Sequence, residues 1–122
     1  MTVALGLILA LATAADEDAP TIVHTPVVVA ARAKPLKIRA DILDVSGVFE
    51  PVVNWRPSGK TDWKPVPLVK VGDNTFEASM FAELLTSDFE YFLEAYDNSG
   101  NGPARFGSPS QPMRVKIVDK LG

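Results

Sequence analysis

Between Phe89 and Asn101 the chain reads FEYFLEAYDNSGN, two interleaved rows of side chains. Phe89, Tyr91, Leu93 and Ala95 fall on one face of an extended backbone, and Glu90, Phe92, Glu94 and Tyr96 fall on the other. Alternation over that length predicts a strand with one face in a core. Glu90 and Glu94 are then expected on its solvated side. Asp97, Asn98, Ser99, Gly100 and Asn101 predict a tight turn, because Asn, Asp and Gly accept the positive φ that such turns require. The remaining strands are expected to pack around this central one.

The same alternation recurs elsewhere. Leu36, Ile38, Ala40 and Ile42 oppose Lys37, Arg39 and Asp41, which predicts a half-buried strand over Pro35–Leu43. Thr21–His24 and Val27–Ala30 read as two short pieces of an edge strand that bends or switches at Pro26, since proline cannot donate to a ladder. Val48–Arg56 predicts a strand with Phe49, Val53 and Trp55 on one face and an irregularity at Pro51. Trp63–Val71 is a ragged strand region carrying Pro65 and Pro67. Gly72-Asp73-Asn74 turns the chain into Thr75–Met80, where Phe76, Ala78 and Met80 point inward. Phe81–Ser87 predicts one helical turn, Gly102–Gln111 a loop, and Pro112–Val118 a closing strand. About seven strands at intervals of roughly 8–12 residues are the pattern of an all-β sandwich.

Composition narrows this reading. The 122 residues suit one domain, 47% are apolar, and eight Gly and ten Pro favour turns over long helices. A net charge of −3 offers no footprint for nucleic acid. The chain has no cysteine, which removes disulfides, thiolate nucleophiles and Cys-bound zinc together. Val3–Ala12 is a continuous apolar run, too short for a bilayer, which takes about 20 residues. Ala12-Thr13-Ala14 follows with the small-x-small pattern of a cleavage site. The expected organisation is a signal peptide over residues 1–14, an acidic lead-in over 15–19 and a sandwich domain over 20–119, in a secreted or periplasmic protein with no membrane span after cleavage.

Several segments together resemble the Ig-like, fibronectin type III-like β-sandwich modules of bacterial secreted and surface proteins. They are Ala19-Pro20-Thr21-Ile22, Pro35-Leu36, Asp44-x-Ser46-Gly47-Val48, Trp55-Arg56, Val66-Pro67-Leu68 and the run from Glu90 to Asn101. The likeness covers about residues 19–118. It implies an antiparallel sandwich whose centre, without a cysteine pair, is packed by Ala40, Leu93 and Trp55. It also implies that Tyr91 buries its ring and bonds its hydroxyl to backbone at the preceding corner.

Catalysis finds little support. The one histidine, His24, sits near an edge strand, where a structural role is expected. No Gly-x-Ser-x-Gly elbow and no glycine-rich phosphate cradle occurs. In the topology the resemblance implies, one end of the sandwich would gather Asp16, Asp18, Asp44, Asp97, Asn98 and Asn101. That oxygen inventory suits calcium, the one candidate cofactor, and the same residues are also what turns prefer for their own backbone. Trp63, Tyr96 and Phe106 are candidates for stacking on sugar rings. The sequence therefore reads as a non-enzymatic exported module for protein interaction or structural spacing at the cell envelope, its protein partner unspecified. An accessory carbohydrate-binding module is the alternative.

Overall fold

The computed structural model describes residues 17–121, so the expected signal segment and Asp16 lie outside the described residues. The described chain is all-β, in two sheets that enclose one core. In order, the strands are β1 (Thr21–Val23), β2 (Val29–Ala31), β3 (Leu36–Leu43), β4 (Val48–Pro57) and β5 (Lys64–Pro67). They continue with β6 (Val69–Lys70), β7 (Thr75–Met80), β8 (Phe89–Asp97), β9 (Ala104–Phe106) and β10 (Met113–Val118). The first sheet has the order β1-β3-β7-β6. The second runs β2-β10-β8-β4-β5, with β9 also on β8.

Ten strands stand where about seven were expected, because two expected segments are split and one expected loop holds a short strand. The first piece pairs with β3 as β1, and past Pro26 the chain crosses to the other sheet as β2, lying parallel to β10. The sandwich is thus antiparallel except at this one edge. The ragged Trp63–Val71 region divides in the same way, β5 on β4 and β6 on β7. Leu68 is the pivot between them, buried and donating its N–H to the Pro51 carbonyl at 2.9 Å. In the expected loop after Gly102, Ala104–Phe106 pair with Leu93–Ala95 as β9. Three residues are too few to show a period in sequence.

The predicted central strand is at the centre. β8 is paired with β4 on one side and with β10 and β9 in succession on the other. Phe89, Tyr91, Leu93 and Ala95 are all buried and meet Ile38, Ala40, Ile42, Ala78 and Met80 from the first sheet, with Trp55 and Val53 beside them. The helical turn appears as a 3-10 turn over Ala82–Leu84.

Two inferences about faces are overturned. The ladder between β4 and β8 shifts between Phe49 and Val52: Phe49 stands opposite Tyr96, but Val52 stands opposite Glu94. One extra residue on β4 inverts the parity of everything before it. Phe49 therefore leaves the core face that Val53 and Trp55 keep, and lies outside at 47% exposure. Glu90, expected on a solvated face, is only 6% exposed. Its carboxylate accepts from Arg56 Nε at 3.0 Å and pairs with the Arg114 guanidinium Nη1 at 3.3 Å, so arginines from both neighbouring strands cover it. Phe92, next on that face, is buried beneath Trp63, whose ring meets it edge-on at 4.9 Å.

Candidate functional site

At one end of the sandwich the β3–β4 and β8–β9 turns are joined. Asp97 organises the second turn: its Oδ1 accepts from the N–H of Ser99 at 2.9 Å and of Asn101 at 2.7 Å, and its Oδ2 accepts from the Asn101 amide at 2.8 Å. Asp44 Oδ1 does the same for the first turn, accepting from Ser46 N–H at 2.9 Å and Ser46 Oγ at 2.8 Å. Asn98 bridges the two, its side-chain amide donating to the Ser46 carbonyl at 2.9 Å and its N–H to the Gly47 carbonyl at 3.0 Å. Gly47 is required at this junction. Its φ is +98°, and a Cβ there would stand 2.5 Å from the Asn98 side-chain nitrogen.

Against this rigid turn pair lies a cleft of about 380 Å³ lined by Phe49, Glu50, Tyr96, Asp97, Asn98 and Gly100. Phe49 and Tyr96 are direct cross-strand partners on the outer face, and Tyr96 is 37% exposed. Glu50 forms the bulge with φ at +48°, a left-handed conformation that costs a non-glycine residue on the order of 1 kcal/mol. The bulge places the Phe49 ring on the outer face, beside Tyr96, which the alternation of β8 already directs outward. The surroundings are acidic, since Asp18 and Asp44 line one neighbouring depression and Asp44 and Asp73 another, the latter with Lys70.

The structure places Asp18, Asp44, Asp97, Asn98 and Asn101 at one end. The carboxylates of Asp44 and Asp97 are directed at N–H and O–H donors of their own turns. Among the described residues no three His, Cys, Asp or Glu side chains converge as a metal site.

The three aromatic candidates for sugar stacking do not share a surface. Phe106 stands opposite Leu93, so it faces the interior, and its ring meets His24 edge-on at 5.2 Å. Trp63 covers Phe92 on the outer face, with the Arg56 guanidinium 4.0 Å from its ring centre. Tyr96 is on that outer face too, but four positions along β8 from Phe92, beside Phe49. Phe49 was missed because its exposure depends on the bulge. Pro51 was the available signal, marking an irregularity without giving its direction.

A second polar constellation lies inside. The Tyr91 ring is fully buried, and its hydroxyl accepts from the Val27 N–H at 2.8 Å. The hydroxyl stands 2.7 Å from His24 Nε2, and His24 Nδ1 stands 2.7 Å from the Arg39 carbonyl. A carbonyl only accepts, so Nδ1 carries the proton and Nε2 accepts from the tyrosine O–H. The expected partner of Tyr91 was the corner just before it. The actual one is the sheet switch of the first strand, which residues so distant in sequence could not reveal. Burial holds the His24 imidazole below its ordinary pKa, partly opposed by the hydrogen bond to Arg39. Burial likewise pushes the Tyr91 phenol up to about 12, against the opposing hydrogen bond from Val27. These values keep both groups neutral near pH 7 and mark a structural clamp. His24 is structural, as expected: its ring is buried, and its Nδ1 caps the Arg39 carbonyl at the edge of β3.

No protein-family model matches the chain, and no curated protein matches it. Among solved structures, the SrpA adhesin from Streptococcus sanguinis is similar to it with a TM-score of 0.49 and 19% identity, over 86% of this chain and 59% of that one. The chain thus spans about three-fifths of that neighbour's length. No helix among the described residues is long and apolar enough to cross a membrane.

Proposed function

We propose that this protein is a non-enzymatic, exported, Ig-like module that binds a protein partner through the Phe49–Tyr96 cleft. The observation that carries the reading is the outward aromatic pair, held by a strained bulge against a rigid double turn. Aromatic side chains fixed at low conformational cost are the usual anchors of protein interfaces. The acidic residues around the cleft match a partner that offers an apolar or aromatic residue flanked by Lys or Arg. Strand orders β1-β3-β7-β6 and β2-β10-β8-β4-β5, with the first strand shared between sheets, support the Ig-like description. Export rests on the apolar run and the Ala12-Thr13-Ala14 pattern alone. Carbohydrate remains a second reading because Tyr96 offers a ring face beside the Asn98 amide, without Trp63 or Phe106 in reach.

The test is a photo-crosslinking amino acid placed at Glu50, with envelope extract as the source of partners. A protein adduct that disappears when Phe49→Ser and Tyr96→Ser are added, in a variant that still melts cooperatively, is the expected result. Adducts unchanged by those substitutions would refute the cleft as the binding surface. Glycan-array binding lost on Tyr96→Ala would favour the carbohydrate reading.

A further inference from the structure

A second surface, distinct from the aromatic cleft, is a sheet edge. β1 covers only Asp41, Ile42 and Leu43 of β3 before the chain leaves for the other sheet. Among the described residues no strand pairs with Leu36–Ala40 on that side, although β7 pairs with all of them on the other. The Ile42 N–H donates to the Asn74 carbonyl on the β7 side. Even-numbered residues of β3 therefore direct their backbone groups to β7, and Lys37, Arg39 and Asp41 direct theirs to the other side, where β1 meets Asp41 and leaves Lys37 open. The Arg39 carbonyl confirms this alternation, being the acceptor of His24 Nδ1. Beside the open edge is a depression of about 330 Å³ lined by Val23, His24, Val27, Arg39 and Ala40 among others.

We propose that this edge of β3 accepts an extended peptide segment of a partner protein as an added strand. The chemistry of the occupant follows from the edge. Unpaired strand N–H and C=O groups are matched by another extended backbone. The added strand continues the line of β1, antiparallel to β3, and ends where the His24 imidazole occupies the Arg39 carbonyl. Its alternate side chains point inward toward Val27, which packs against the core, and a small apolar residue is favoured there. The intervening ones lie in the depression on the outer face, beside Lys37, Arg39 and Val23. Glu77 pairs closely with Arg39, which also has Asp41 two positions along the same face, and reaches Lys37 only at 3.7 Å, so an acidic peptide residue beside Lys37 is preferred. Pro26 follows the departure of the chain from β1, and its missing N–H keeps the chain from closing over this edge.

The proposal is tested with a set of short fluorescein-labelled peptides. They carry Ala, Val, Leu or Phe at alternate positions, Thr between them, and one central Glu. Saturable binding is expected for at least one, with slowed amide exchange at Lys37 and Arg39. N-methylation of the amides on the pairing edge of that peptide should weaken it about tenfold or more, the effect of losing strand hydrogen bonds. The same modification on the opposite edge should have little effect. Lys37→Glu should reverse the preference from Glu to Lys in the peptide. Phe49→Ser should leave this binding unchanged, so failure here and failure of the aromatic cleft are separate results. Absence of saturable binding across the set, or equal sensitivity to N-methylation on both edges, overturns the proposal.

Discussion

Replacing Tyr91 by Phe removes one oxygen atom from the molecule's centre and leaves the ring packing in place. Two groups lose their partner: the His24 Nε2 acceptor, buried, and the Val27 N–H, half-buried. An unsatisfied buried polar group costs about 1–3 kcal/mol, and a partly exposed one less. The expected loss is about 2–4 kcal/mol, a large share of a total stability of ~5–15 kcal/mol. For a domain of this size that corresponds to a fall in melting temperature on the order of 10–20 °C. Urea unfolding monitored by tryptophan fluorescence gives the free energy directly, and an unchanged m-value shows that both proteins unfold from equally compact states. The cycle is completed in a His24→Ala background, where the substitution abandons only Val27 and should cost at least about 1 kcal/mol less. A Tm shift of one or two degrees, or the same loss in both backgrounds, would refute the clamp. Tyr91→Ala adds loss of ring packing, for about 3–5 kcal/mol or more, and is expected to leave little folded protein.

Other consequences follow from the same contacts. The His24 pKa is lower in the folded than in the unfolded chain, where it is about 6.5. Above that value both states are neutral and His24 adds no pH dependence. As the pH falls below it the unfolded state takes up a proton first, so stability should decline, by at most about 1.4 kcal/mol per pH unit, until the folded pKa is reached. His24→Ala should flatten the pH-stability curve between pH ~6.5 and the carboxylate range. Glu90→Ala leaves Arg56, itself mostly covered, without its carboxylate, and should destabilise by about 2–4 kcal/mol in urea unfolding. Arg114→Ala, from an exposed side chain, should cost less than about 1 kcal/mol. Millimolar calcium should leave the Tm unchanged, because Asp44 and Asp97 direct their carboxylates to their own turns; a rise would support a loop-end ion site.

What was legible in the sequence was whatever a short-range pattern encodes. The alternation from Phe89 to Ala95 placed the central strand, Pro26 marked the strand break, and the Asx-rich run located the turn beside the cleft. What was not legible depended on partners remote in the chain. Glu90 reads as a solvated residue until Arg56 and Arg114 close over it. The hydroxyl of Tyr91 finds its acceptor and donor in His24 and Val27, which only the fold brings together. Phe49 is the most instructive. Its neighbours Val53 and Trp55 fix the face of the strand, and a single inserted residue between them and Phe49 reverses it. The candidate site was thus visible as loop chemistry around Asp97 and Asn98, and invisible as an aromatic surface.

Hydroxyl-radical footprinting of the purified protein reads this reversal residue by residue. Phe49 and Tyr96 should be modified readily, while Phe89 and Tyr91 stay protected until the protein is unfolded. Protection of Phe49 to the level of Phe89 would place it back in the core, and the cleft and the binding surface proposed there would both be lost.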